Sequence, residues 1–255
     1  MTTRALRPQP IAFENGVLVE GEMKDEIFRR SQFAVQCQLS CSPVFESHPM
    51  SSVTSPDATT PEPTWAVAHL FPSQGEWTEN EFFALHSNRM IELVDGHLEV
   101  LPMPTWLHQL MVKFLVRAIE QATNGVGEAL DAPLPIRLFE QHIREPDVMY
   151  FAPGSEPTDP RGYPTQVDLA MEVVSEGADA RRRDYEDKRR DYAKAGIPEY
   201  WIVDPDAECI TVLVLVDEVY QVHGEFSRGE IATGLRLSGL AVNVDDAMRL
   251  GDPRR

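Results

Sequence analysis

Cysteine is scarce in this sequence: three residues in 255, at Cys37, Cys41 and Cys209. An odd count gives no disulfide framework, and Cys37 and Cys41 lack a second Cys or His pair at zinc-site spacing. Long apolar runs are missing too, since none approaches the roughly 18 residues that a bilayer span needs. The start, Met1-Thr-Thr-Arg-Ala-Leu-Arg-Pro8, leads into no apolar core of a secretory signal. A reducing, cytoplasmic setting with no membrane partner is therefore expected. Positive charge is also short, with 23 Lys and Arg against 41 Asp and Glu, a net charge of −18. Phosphate contacts dominate nucleic-acid affinity and need cations, so this balance opposes tight binding to nucleic acid.

What is present is ordinary for a globular chain: 42% hydrophobic and 25% charged residues, enough for one large domain or two small ones. Residues 1–64 differ from the rest and read as a low-order N-terminal extension and linker. Met23 to Val35 has the makings of one short helix. His48 to Thr64 is dense in Ser, Thr and Pro, a composition that cannot bury enough apolar surface to pack. Met50 opens that linker and offers a second natural start, which would make residues 1–49 foreign to the protein. A connecting segment covers 65–76, and the folded domain runs from 77 to 250.

Within it, Thr78 caps a short helix from Glu79 to His86, with Glu81 at the capping-box position. Met90–Val94, Asp95-Gly96 and His97–Leu101 form a β-hairpin on a favoured turn pair. Thr105 caps a helix from Trp106 to about Ala122, whose apolar residues follow the helical period until Gly125 and Gly127 stop it. Strands follow at Leu134–Phe139, Asp147–Phe151 and Val167–Val174, then a helix Ala180–Ala195 closed by Gly196. Glu199–Val203, Cys209–Val216 and Val219–His223 are further strands, with a short strand near Ile231 and a helix near Asp245–Leu250. Strands around two principal helices indicate a single α/β (α+β) domain.

The chemistry is concentrated between Glu145 and Pro205. Period-2 alternation puts Asp168, Ala170, Glu172 and Val174 on one strand face. Glu172 is thus a carboxylate inside an apolar run, where an unpaired charge is costly. A cation, an arginine or a proton must compensate it. Asp147 opens another apolar run, as a strand-entry cap or as a second carboxylate able to join Glu172 on a hard cation. Asp184, Lys188 and Tyr192 step by four along one helix face, either as a surface ion pair or with Lys188 aimed at a metal site. Glu99 on the hairpin arm is either a solvated or arginine-paired residue or a third metal carboxylate. His108, in the first turn of the long helix, is either structural or a second contributor. Asp204 before Pro205 reads as a turn former, and Tyr200 and Trp201 as core residues.

The order of these landmarks resembles the Uma2 family of restriction-endonuclease-like proteins, within the PD-(D/E)xK nuclease superfamily. The resemblance rests on Pro146-Asp147, Glu172-Val-Val-Ser175, Asp184-x3-Lys188-x3-Tyr192 and Gly196-Ile-x-Glu-Tyr-Trp-Ile-Val-Asp204-Pro205. Trp77-Thr-x-x-Glu-Phe, Glu92-Leu-Val-Asp-Gly-x-Leu-Glu99, His108 and Leu237-Ser-Gly-Leu240 extend it over residues 77–250. It implies a restriction-endonuclease-like core, a central mixed sheet flanked by helices. It also implies a Mg²⁺-dependent endonuclease acting on DNA, with Mn²⁺ as substitute. Asp147, Glu172 and Glu99 would be the metal carboxylates, and Lys188 and His108 the assisting residues. Where the superfamily lysine usually stands, two residues after Glu172, this chain has Val174, and Lys188 matches a lysine moved to the next helix. Arg181 to Lys194, with seven basic residues against four acidic ones, would form a local basic face for DNA at low salt. A homodimer is expected by analogy. The rival expectation is an inactive nuclease-fold module that binds nucleic acid or protein.

Overall fold

The computed structural model describes residues 71–85 and 89–252, together with a two-stranded pairing of β1 (Phe13–Glu14) and β2 (Val17–Leu18). The chain divides into two units, Met1–Thr60 and Pro61–Arg255. The helix expected at Met23–Val35 and the linker His48–Thr64 lie outside the described residues.

In the second unit, α1 (Glu79–Ala84) begins with the expected reciprocal cap, in which the Thr78 side chain accepts from the Glu81 amide and Glu81 answers the Thr78 amide. A four-stranded antiparallel sheet follows, ordered β4 (His97–Val100), β3 (Ile91–Val94), β7 (His142–Arg144), β6 (Ile136–Phe139). Its β3–β4 turn uses Asp95 and Gly96 at φ +47° and +74°, the left-handed pair that a two-residue hairpin requires.

The main sheet has six strands in the order β12 (Val219–Ser227), β11 (Cys209–Val216), β10 (Glu199–Asp204), β9 (Leu169–Val173), β8 (Val148–Phe151), β5 (Glu128–Asp131). Only β9 and β10 run parallel; the other neighbours are antiparallel, so the sheet is mixed. A parallel pair needs a crossover. Here it is a helical segment made of α3 (Ala178–Arg182), a π-turn (Arg183–Asp187) and α4 (Lys188–Lys194), ended by Gly196 at φ +80°. A small pair, β13 (Ile231–Thr233) and β14 (Ala241–Asn243), and α5 (Val244–Met248) complete the unit.

Alternation along β9 decides what each face meets. Leu169, Met171 and Val173 pack in one core with Met111, Leu115 and Ile119 of α2 (Trp106–Thr123). Ala170 and Val174 pack in a second core with Tyr192 of α4 and Tyr200 of β10. The sheet therefore lies between two helical layers, and Glu172, which shares its face with Ala170, looks toward the crossover. Tyr200 and Trp201 are fully buried, as core residues should be. Helix α2 ends at Thr123, one residue past the expected Ala122, and it is Asn124, ahead of the glycines, that takes the left-handed conformation at φ +52°. Among the described residues, no helix is long and apolar enough to cross a membrane.

Candidate active site

The crossover brings together what the sequence separates. Asp147 stands just before β8 and Glu172 near the end of β9, and the antiparallel register pairs Val148 with Met171. Asp147 Oδ2 accepts the Val173 amide at 2.8 Å, which ties the first carboxylate to the backbone beside the second. Lys188 reaches down from the helix, with Nζ 2.8 Å from Glu172 Oε2 and 3.3 Å from Glu92 Oε1. Its backbone amide donates to the Arg183 carbonyl, the i→i−5 bond of the π-turn. Such turns are frequent at functional sites. Tyr192, one turn further on, donates its hydroxyl to Glu172 Oε1 at 2.5 Å. Both oxygens of a carboxylate buried in an apolar strand are thus satisfied.

His108 is held in the first turn of α2, where its amide donates to the Thr105 cap. Its Nε2 lies 3.2 Å from Asp147 Oδ2, and its buried Nδ1 has no hydrogen-bond partner. Asp147, Glu172, Lys188 and His108 all line one small pocket, together with Asp184 and Arg183. The pocket offers only about 30 Å³, where a single water needs roughly 10–15 Å³. An ion or a single oxygen fits; a nucleoside does not.

Glu99 is placed elsewhere. On β4 it sits opposite Glu92 of β3, and Arg144 of β7 reaches both, with Nη1 2.7 Å from Glu92 Oε2 and 2.8 Å from Glu99 Oε2. Arg144 also takes Asp191 of α4 at 2.7 Å, so one buried guanidinium serves three carboxylates. Glu99 is therefore paired with an arginine, partly exposed, and does not line the pocket.

Two further acidic residues join the site: Glu92, in the sequence a landmark only, and Asp184, there a helix-face neighbour; neither is expected from the sequence as a site residue. Glu92 accepts Lys188, Arg144 and the Glu145 amide. Asp184 is buried in the pocket wall, and its Oδ1 has no hydrogen-bond partner. The signal for Asp184 was its four-residue step to Lys188, which reads equally well as a surface pair. Arg183 also lines the pocket, its Nε without a hydrogen-bond partner.

Charge crowding sets the protonation states. Burial pushes the Glu172 carboxyl well up, and the charges of Asp147, Asp184 and Glu92 add to this against the opposing Lys188. Asp184 is pushed up to about 6, first by burial and then by Asp147 and Glu92, with Lys188 and Arg183 opposing. For Lys188 burial favours the neutral amine, but the four surrounding carboxylates overcome it and raise its pKa. The ammonium is therefore a fixed cation and not a base at neutral pH. His108 follows the same logic: burial lowers it, Asp147 and Asp184 raise it, and the net direction is up.

The donor set suits a hard divalent cation. The pocket's carboxylates offer oxygen ligands, three of them face one lysine, and Asp184 Oδ1 accepts no hydrogen bond, with Arg183 Nε 3.5 Å away as its ion-pair partner. The described residues contain no group of three His, Cys, Asp or Glu side chains already placed around a metal position. Mg²⁺ asks for less, since it is commonly held by one or two carboxylates and keeps several waters.

The expected basic face has a different character. Arg181 pairs with Asp204, Arg182 with Asp179, Arg183 with Asp184, and Arg190 with Asp187 and Asp191. Arg189 donates to the Tyr220 carbonyl, Lys194 lies over the Phe139 ring, and Lys188 is buried. Each of the seven basic side chains has a partner within the chain. Asp204 is also more than a turn former: fully buried, it accepts Arg181, the Tyr185 hydroxyl and the Ala207 amide.

A mixed sheet between helical layers, with carboxylates and a lysine gathered at the strand ends, defines a restriction-endonuclease-like core. The family described as "Uma2: Putative restriction endonuclease" matches residues 79–245, and the chain belongs to it. A solved structure, described as "a putative nuclease belonging to DUF820 from Anabaena variabilis", has a TM-score of 0.57 and 18% identity. The likeness covers 68% of this chain and 98% of that one, and speaks for the fold. Among curated proteins, no sequence matches the chain.

Proposed function

We propose that this chain is a divalent-metal-dependent nuclease that hydrolyses DNA phosphodiester bonds, with Asp147 and Glu172 holding Mg²⁺ or Mn²⁺. The observation that carries this reading is the delivery of Lys188 Nζ to 2.8 Å from Glu172, in a pocket shared with Asp147. Restriction-endonuclease-like nucleases generally use divalent metals, and the carboxylates of Asp147, Glu172 and Asp184 in the pocket wall suit one. A cation held there would lower the pKa of a bound water and polarise the scissile phosphate.

The remaining work falls to this chain's own groups. Lys188 stays protonated and supplies fixed positive charge where the phosphoryl group gains negative charge, worth more in a site shielded from water. Arg183 lines the same pocket, and its Nε, ion-paired with Asp184 at 3.5 Å but making no hydrogen bond, would turn to a phosphate oxygen. Asp147 orients His108 through Nε2, leaving Nδ1 as the other ring position for a proton. Tyr192 holds Glu172 so that its carboxylate does not rotate away. Glu99, committed to Arg144, has no part in this scheme.

One observation favours a second reading, an inactive nuclease-fold module that binds nucleic acid or protein. The Glu172 oxygens are already taken by Lys188 and Tyr192. Cleavage of plasmid and single-stranded DNA at low salt with Mg²⁺ or Mn²⁺ separates the two. The nuclease reading expects metal-dependent cleavage that disappears in Asp147→Asn, Glu172→Gln and Lys188→Met. A folded wild type that binds Mn²⁺ but cuts no substrate would establish the inactive module instead.

A further inference from the structure

The catalytic pocket admits an ion or a phosphate oxygen, so the bases flanking the bond must lie outside it. A cavity of about 320 Å³ is walled by the same two stretches of chain, and its size falls at the lower end of the ~300–1,000 Å³ of ordinary ligand pockets. Met90 lines the catalytic pocket, while Arg89 and Ile91 on either side of it line the larger cavity. Asp147 lines the first and Glu145 the second, and two residues of chain put their Cα atoms no more than about 7 Å apart. The Glu145 amide also donates to Glu92 at 2.9 Å, and Glu92 holds Lys188.

The walls of this cavity are chiefly apolar and aromatic, with Phe82, Phe83, Leu134 and Tyr163 among them. Phe83 and Tyr163 stack with ring centroids 4.3 Å apart, and Tyr163 keeps 46% of its surface exposed. Among the described residues of the lining, Glu145 is the one carboxylic acid. It is only 7% exposed, and its buried Oε2 has no hydrogen-bond partner. A buried polar atom left unsatisfied costs stability, so the fold gains nothing from an acceptor there. A planar ring with an N–H on its edge uses both features. Its faces suit aromatic walls, and its edge supplies the donor that the carboxyl oxygen lacks. Nucleobases have this chemistry, and a strand held by its phosphate in the catalytic pocket carries them to the right place.

We propose that this cavity is a nucleobase subsite, in which a base turned out of the substrate strand lies against Phe83 and Tyr163 and donates an edge N–H to Glu145. This rests on the nuclease reading above and adds to it a preference for DNA whose bases can leave the stack. Extrusion costs least from single-stranded or mismatched DNA, so those substrates should be favoured.

The test is binding without turnover, using the full chain with Ca²⁺ as the accompanying cation. Fluorescence anisotropy would compare short labelled single strands of abasic sites that carry at their centre one guanine, one unsubstituted purine or no base. Unsubstituted purine keeps the ring and lacks the N–H edge. The wild type should bind the purine strand about 10-fold more weakly than the guanine strand, and the baseless strand more weakly again. Glu145→Leu should bind guanine and purine strands alike, and Tyr163→Ala should bring the purine strand close to the baseless one. Leu fills a similar volume and removes an unsatisfied carboxyl, and Tyr163 is half exposed, so both variants should fold, which circular dichroism checks. Free deoxyguanosine, titrated by calorimetry, separates the sources of the base. Tight binding of it, lost in Glu145→Leu, with equal binding of the three strands overturns a base carried by the substrate. Equal binding of the strands without it, or a guanine preference that survives Glu145→Leu, overturns the subsite altogether. Metal-dependent cleavage together with any of these results leaves the nuclease reading standing. A wild type that neither binds nor cuts DNA removes both.

Discussion

Lys188 Nζ and Glu172 Oε2 lie 2.8 Å apart, yet the lysine comes from the crossover helix and the carboxylate from β9. Both side chains are buried, so each is the other's main compensation in a medium where isolated charge is expensive. Removing either partner should cost up to about 3–5 kcal/mol, because the survivor stays buried with only its second partner, Glu92 for Lys188 or the Tyr192 hydroxyl for Glu172. Replacing both, as Glu172→Gln with Lys188→Met, should cost clearly less than the sum. Urea denaturation of the single and double variants gives the coupling, and strict additivity would show that the pair is not energetically linked.

A second prediction follows from the face that Glu172 shares with Val174. Period-2 alternation puts both on the crossover side, and Val174 packs in the same core as Tyr192. A lysine at 174 thus points toward the space that Lys188 fills. If Lys188 acts through its charge, Val174→Lys combined with Lys188→Met should regain part of the cleavage lost in Lys188→Met alone. The measurement is kcat on single-stranded DNA with Mn²⁺. A folded double variant with no activity above Lys188→Met would mean that the helix position itself matters.

These two residues also show how far the sequence could be read. Asp147, Glu172 and Lys188 were legible because each carries a local signature: a charge at a strand entry, a charge within an apolar run, and a lysine at helical spacing. The hairpin and the helix Ala180–Ala195 were legible for the same reason, whereas the mixed sheet was expected only from the family resemblance. Arg144 had no such sign. Its three partners, Glu92, Glu99 and Asp191, lie 52, 45 and 47 residues away, and nothing local to His142-Ile-Arg144 announces them. Nor was β5 visible, since Glu128-Ala-Leu-Asp131 leaves both acids exposed and takes its strand geometry from pairing with β8. The apparent basic face misled for a related reason: a count of charges does not reveal that each arginine has an internal partner.

Arg144 supports a third prediction. With Arg144→Met, Glu92 loses its guanidinium and the buried Asp191 loses both of its bonds to that side chain. Unpaired buried carboxylates cost several kcal/mol, so the loss should equal or exceed the 3–5 kcal/mol given above for one broken buried pair. Lys188 should also shift toward Glu92, which then lacks its other cation, and cleavage should fall with the fold still intact below the new melting temperature. Thermal denaturation followed by activity at a low temperature checks both halves. A variant as stable as wild type would show that the network is solvated and of little weight.

Glu145 gives a pH dependence whose sign is fixed. Burial first, and then the charge of Glu92, push its carboxyl up from 4.5 to about 7, and its Oε2 has no hydrogen-bond partner. The folded protein thus holds this proton more tightly than the unfolded chain. The stability that results is complete below about pH 4.5 and is lost as pH rises through about 7. Glu145→Gln keeps the shape and removes the titration. Relative to wild type, the variant should therefore gain stability between pH 5 and pH 8, by at most about 3 kcal/mol. Urea midpoints at those two pH values decide it. Parallel behaviour of the two proteins would mean that Glu145 ionises in the fold as freely as it does in water.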